Sequence, residues 1–221
     1  MVLVLALSVI SCGVDPNKKS EGTMTYAEYN AAALDSQVVI EGFVQAKQAW
    51  WSNKGTFYLQ DGEGAYFIYE LPCTEEEYNK MTVGTKLKIT GVKTAWAGEV
   101  EIIDATFEIL ADEWVAEAED VTSIMANEAE LIKKQNCLVK YTDLTVKSVS
   151  YKNNTPGDDI YVSFTKGDAE YNFCVEFYLN GSDEAFYNSF AALNAGDVVD
   201  VEGFLYWYNG NNTHITKVTK K

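Results

Sequence analysis

The sequence predicts a mainly β protein of two similar halves, each running strand–strand–strand–helix–strand–strand. Three observations predict it: an internal repeat, short runs of alternating apolar residues, and a helix-capping pattern at the same place in both halves. The repeat pairs VGTKLKITGVKTAWAGEVEIIDATFEIL, from Val83, with AGDVVDVEGFLYWYNGNNTHITKVTKK, from Ala195. Gly84 and Gly91 align with Gly196 and Gly203, and the apolar residues between them alternate (Leu87 and Ile89; Val199 and Val201). Alternation of this kind gives a strand one buried face. A Trp follows in each copy (Trp96, Trp207), then a glycine turn (Gly98, Gly210) and a last strand.

The elements upstream follow in order. The first half carries strands over 38–47, 56–60 and 65–71, and the second over 138–150, 160–165 and 170–179. In TEEEYNKM, Thr74 caps a helix and Glu77, three residues on, closes a capping box. Glu75 and Glu76 suit the positive end of the helix dipole. In SDEAFYNSFAAL, Ser182 takes the cap, Asp183 and Glu184 the first turn, and Phe186, Phe190 and Leu193 one face. Each half opens on a helical lead-in, capped by Thr25 with Glu28 in TMTYAEYNAAAL and by Thr122 in VTSIMANEAELI. The acidic segment ADEWVAEAED separates the halves, and its Trp114 is expected at the contact between them.

A helix between the third and fourth of five strands resembles the OB-fold. GTFYLQDGEGAYFIYE is similar to the second and third strands of many bacterial OB-folds, with Asp-Gly between them. The resemblance implies two tandem five-stranded Greek-key barrels that bind ligands on the face of strands 2 and 3, rimmed by the 1–2 and 4–5 loops. The chain then divides into an N-terminal signal (1–12), a tether (13–23), an OB-like domain (24–111), an acidic linker (112–120) and a second OB-like domain (121–221).

Residues 1–10 form an apolar run, too short to cross a bilayer, where about 20 residues are needed. It reads as the hydrophobic region of a secretory signal. VISC, ending at Cys12, resembles a bacterial lipobox. That resemblance implies cleavage before Cys12, a lipid on that residue, and an extracytoplasmic, membrane-anchored lipoprotein. The polar DPNKKSEGT reads as the tether.

The 221 residues carry 33 acidic and 17 basic side chains, a formal charge of −16. Such a chain repels phosphate backbones, which disfavours nucleic acid as a partner. Of the remaining cysteines, Cys73, Cys137 and Cys174, no two have metal-ligand spacing. An oxidising compartment permits a Cys137–Cys174 disulfide, which spacing alone does not decide. The one histidine, His214, excludes paired-His metal sites and reads as an ordinary barrel or surface residue. No nucleophile, phosphate-loop or zinc-protease motif appears, so an enzyme, a cofactor and a metal are not expected. Asp61 and Glu63 in QDGEG suit a hairpin turn better than a Ca²⁺ loop.

Aromatic surfaces are left as the functional signal. In the first half one of Trp50 and Trp51 is expected to pack inward and the other to be free. Tyr58 and Tyr66 are expected to face outward, with Phe57, Leu59, Phe67 and Tyr69 inward, and Trp96 to arrive from the 4–5 loop. In the second half the candidates are Tyr151, Tyr161, Tyr206, Trp207 and Tyr208. Such rings stack on sugars or bases. The expected function is a lipid-anchored binding protein whose ligand is an oligosaccharide or a protein. The alternative is a single-stranded nucleic-acid binder, and a weaker one an accessory domain of a secreted enzyme.

Overall fold

The computed structural model describes residues 13–221. Cys12 and the signal segment lie outside the described residues. The first unit comprises α1 (Tyr26–Ala31), β1 (Gln37–Lys47), β2 (Lys54–Gln60), β3 (Ala65–Pro72), α2 (Glu75–Lys80), β4 (Thr85–Trp96) and β5 (Glu99–Glu113). The second comprises β6 (Glu119–Asp120), α3 (Glu128–Leu131), β7 (Leu138–Tyr151), β8 (Ile160–Lys166), β9 (Ala169–Val175), α4 (Phe177–Asn180), α5 (Glu184–Ser189), β10 (Val198–Phe204) and β11 (His214–Lys220).

The first unit is a closed barrel in the order β1-β2-β3-β5-β4. β1 is long enough to serve two neighbours: residues Gln37 to Phe43 pair with β4, and Phe43 to Lys47 with β2 across a bulge at Val44/Ala46. Closure needs β3 and β5 side by side, and they pair in parallel at Phe67↔Glu101 and Ile68↔Ile102. The second unit repeats the plan. Its sheet runs β10-β11-β9-β8-β7, β10 pairs back onto β7, and β6 adds a parallel edge strand. Parallel contact between β9 and β11 shrinks there to one pair, His214↔Cys174. These are the two OB-like Greek-key barrels expected from the sequence.

The repeat reflects shared chain geometry. Gly84 and Gly196 sit at φ +91° and +93°, a region side chains avoid. Their N–H groups donate to Val44 O (2.8 Å) and Val146 O (2.9 Å), tying the start of strand 4 to strand 1 identically in both barrels. The alternating residues fill two separate cores. Val38, Ile40, Phe57, Leu59, Leu87 and Ile89 are buried in the first, and Val139, Val162, Phe164, Val199 and Val201 in the second. Each such side chain contributes roughly 1.5–3 kcal/mol by leaving water.

The capping boxes at Thr25/Glu28 and Thr74/Glu77 form as expected. Two other caps differ. Thr122 bonds to Asp120 and Thr142 instead, and the lead-in helix is a single turn capped by Asn127. Ser182 yields its role to Asp183, whose side chain accepts from Phe186 N. The strand expected over 170–179 stops at Val175, because the Glu176 carboxylate caps a separate turn, α4, by accepting from Tyr178 N and Leu179 N.

The segment expected as a tether is docked on the first barrel. Lys19 Nζ donates to Asp61 Oδ2 (2.5 Å) and Glu41 O (2.6 Å), and Lys18 O accepts from Lys86 Nζ (2.8 Å). Burial alone would raise the Glu41 carboxyl. Hydrogen bonds from Ser20 and the Lys86 ammonium 3.1 Å away hold it below the usual carboxylate range. The Asp61 carboxylate also accepts from Glu63 N, Gly64 N and Tyr66 Oη, so QDGEG is a hairpin turn whose acid is satisfied by protein donors. Cys73, Cys137 and Cys174 are buried free thiols, and the Cys137–Cys174 disulfide is not formed. Trp114 packs edge-on against Phe43 of the first barrel, ring centres 5.6 Å apart, rather than between the units.

Candidate ligand-binding groove

The face that OB-like barrels offer to ligands has opposite fates in the two units. In the first barrel the outward side chains of β2 and β3, Tyr58 and Phe67, are cross-strand partners. They form a small core with Phe204 of the second unit, flanked by Leu138, Leu179 and Tyr206. Tyr58 stacks on Phe204 at 4.4 Å and 17°. Its hydroxyl shares a 2.8 Å hydrogen bond with His214 Nδ1. Tyr58 is fully enclosed and His214 is buried: burial drives the Tyr58 phenol well above its ordinary value and the His214 imidazole down to about 3.

This arrangement corrects the expected first-unit site. Tyr58 faces out of its barrel but lies under the second unit. β3 has the opposite phase to the one expected: Tyr66 and Ile68 point into the core, while Phe67 and Tyr69 point out. Tyr66 Oη donates to Asp61 Oδ2 at 2.8 Å, leaving neither residue for a ligand. Trp50 packs on the core and donates from Nε1 to Cys73 O, while Trp51 is 69% exposed. Trp50 or Trp51, Tyr58, Tyr66 and Trp96 therefore do not converge on one face.

The interface continues along the β4–β5 hairpin. Asn209 N donates to Ala97 O (2.7 Å) and Gln135 Nε2 to Gly98 O (2.9 Å), and at the end of β2 Gln60 Oε1 accepts from Leu138 N (2.8 Å). Gly98 lies against the Trp207 ring, where a Cβ would come within 2.7 Å. Glu99 is wholly buried here. Its Oε2 accepts from Trp207 N (2.8 Å) and Gln135 Nε2 (3.1 Å). Oε1 has no donor among the described residues, nor has the buried Asn136 Oδ1 beside it. Burial pushes the carboxyl up to about 8.

In the second barrel the equivalent face is open. β8 and β9 form the floor of a groove of about 930 Å³. Tyr161, Asn172 and Cys174 rise from the floor, and Tyr206, Tyr208 and the amides Asn209, Asn211 and Asn212 come from the β10–β11 loop. Lys152 and Asp159 contribute from the β7–β8 loop. The first unit supplies Trp96, 56% exposed, which lies against Tyr208 at 5.2 Å. Tyr206 stacks on His214 at 4.3 Å and 19°, so the buried imidazole supports a ring of the groove wall.

The second-unit candidates named from the sequence thus separate. Tyr161, Tyr206 and Tyr208 line the groove. Trp207 packs on the core behind it, and Tyr151 packs on the same core near Tyr187. The asparagines of NGNN were legible as a turn but not as groove lining. Asn172 and Glu176 carried no signal.

The groove is acidic. Among the described residues lining it, Lys152 is the one cation, against Glu128, Asp159, Glu170 and Glu176. Lys152 is itself paired with Asp158 (3.2 Å) and Asp159 (3.1 Å). Burial pushes Glu176 up to about 7, yet both its oxygens accept backbone N–H groups of α4. Asp159 likewise accepts from Phe177 N and Lys152 Nζ. The groove's partly buried carboxylates are therefore engaged in holding the chain.

No protein-family model and no curated protein matches the chain. Among solved structures it is similar to a chain of the S. pombe Stn1–Ten1 complex, with 21% identity and a TM-score of 0.30 over 34% of this chain and 59% of that one. It is similar to asparaginyl-tRNA synthetase of Entamoeba histolytica, with 17% identity and a TM-score of 0.34 over 48% of this chain and 29% of that one. A murine DNA-binding protein bound to double-stranded DNA matches with 9% identity and a TM-score of 0.40 over 83% and 96% of the two chains. The chain spans little more than half of the first of these and under a third of the second. The scores are low, and the OB-like assignment rests on strand order and pairing.

Proposed function

We propose that the chain is a carbohydrate-binding protein that holds a neutral oligosaccharide in the β8–β9 groove. The observation that carries this reading is the groove's chemistry: the exposed rings of Trp96, Tyr161 and Tyr208 and the half-buried ring of Tyr206 beside amides in an acidic setting. Aromatic faces meet the C–H faces of sugar rings, and amides meet their hydroxyls. Phosphate backbones need a cationic track, and the groove's one lysine is already paired. We propose further that the protein is held at an extracytoplasmic membrane surface through a lipid on Cys12, on the strength of VISC.

A parallel glycan and oligonucleotide array with residues 13–221 tests the first proposal. Neutral oligosaccharides are expected to bind, and Tyr208→Ala to weaken them about 3- to 10-fold, the loss of one stacking contact. Binding to oligonucleotides with a steep salt dependence, and to no glycan, would overturn it. The anchor is tested by Cys12→Ser, which is expected to move the protein from the membrane to the soluble fraction.

A further inference from the structure

A second cleft, of about 240 Å³, opens on the seam between the units. Three exposed rings from three elements surround it. Trp51 comes from the β1–β2 loop, where Ser52 and Asn53 hold left-handed φ values (+52° and +60°) and Trp51 pairs with Lys54 across the turn. Tyr69 stands on the outer face of β3, just before a bulge at Glu70 (φ +50°). Tyr178 comes from α4 of the second unit, which is fixed to the first by Ala49 N donating to Tyr178 O at 2.7 Å. Trp51 is 69% and Tyr178 61% exposed, so neither is there to fill a core. The rim carries Gln48 and the Lys54–Glu70 ion pair, 2.7 Å, both partners half exposed.

We propose that this seam cleft is a second carbohydrate site that takes a single pyranose ring. The reading of the ligand as saccharide rests on the function proposed above, but the residues are different ones. The volume lies below the roughly 300–1,000 Å³ of sites that enclose larger ligands, so one ring fits and a chain does not. The aromatic faces meet the ring's C–H groups, while Gln48, Lys54 and Glu70 offer donors and acceptors to its hydroxyls. One lysine and one glutamate leave the rim without net charge, which gives a phosphate no foothold. Both units contribute, so the site exists only while they are docked.

The test is ¹⁹F NMR of the protein labelled with 5-fluorotryptophan, with the Trp51 resonance assigned by Trp51→Phe. The probes are the methyl glycosides of glucose, galactose and mannose, and N-acetylglucosamine. At least one is expected to shift the Trp51 resonance saturably, with affinity lost tenfold or more in Tyr178→Ala and unchanged in Tyr208→Ala. A Trp51 resonance that none of the four moves, while an oligosaccharide panel still moves Trp96, overturns the seam site and leaves the groove standing. Equal shifts in Tyr178→Ala also overturn it. If neither resonance responds to any sugar, the carbohydrate reading falls and the seam site with it.

Discussion

The β2–β3 face of the first barrel and the β8–β9 face of the second occupy the same place in the same fold, yet one is a core and the other a groove. On the first, Tyr58 and Phe67 are sealed under Phe204 and the phenol is paired with His214. On the second, Tyr161 and Asn172 stand in an open groove that Trp96 of the first unit overhangs. An aromatic on this face is therefore no evidence of a ligand until the neighbour is placed. Of two similar units, one spends this face on the contact with its neighbour and the other leaves it open.

Five changes break or sharpen this contrast. Tyr58→Ala should remove the largest side chain of the sealed face and cost about 3–5 kcal/mol, read as a fall in the denaturation midpoint. The same change at Tyr161 should leave stability nearly untouched, since that ring is exposed.

Glu99→Gln comes next and acts through pH. The carboxyl titrates near 8 when folded and near 4.5 when free, so the folded state holds an extra proton between these values. Its contribution to stability is full below pH 4.5 and lost as pH rises through 8, on the order of a few kcal/mol. Glutamine keeps an acceptor for Trp207 N and carries no titrating proton. The variant's melting temperature is expected to stay flatter than the parent's between pH 5 and 8; identical profiles would show that Glu99 is not protonated in the folded state. His214 works in the other direction. Its value falls from 6.5 to about 3 on folding, so its contribution is present above 6.5 and lost as pH falls toward 3, in parent and variant alike.

Tyr58→Phe should cost about 1–3 kcal/mol by leaving His214 Nδ1 buried without a partner. Smallest in stability is Trp96→Ala, expected within about 0.5 kcal/mol of the parent because the ring is largely exposed. Its effect should appear in oligosaccharide binding measured by calorimetry, as a several-fold weaker affinity. Weaker binding in a variant as stable as the parent would show the first unit acting on the second unit's ligand.

Much of the architecture was legible because each unit's core face alternates cleanly. Phe57 and Leu59 inward, and Val162 and Phe164 inward, follow from period two alone. β3 was misread for a physical reason. Its first residues, AYFIY, are apolar or aromatic on both faces, because one face fills the barrel and Phe67 on the other lies under the second unit. Only pairing with β2, Leu59↔Tyr66 and Tyr58↔Phe67, fixes the phase. Tyr178 was hidden differently, since a strand reading carried it past Glu176, whose carboxylate turns the chain into α4. Tyr161 was found because it alternates out of its strand, and Tyr206 and Tyr208 because they sit in the last hairpin. No pattern within one half reports a contact made by the other, so the loss of Tyr58 to the interface was out of reach.

The docked segment ahead of α1 has a further consequence. With Lys18, Lys19 and Ser20 fastened to the barrel, the free chain after Cys12 is only a few residues long, about 3.3–3.6 Å each at full stretch. For a protein lipidated at Cys12, as proposed, this is a short leash. The first barrel would ride close to the bilayer with restricted rotation, and any pull on the protein would load the Lys19–Asp61 clasp before it reached the sheet.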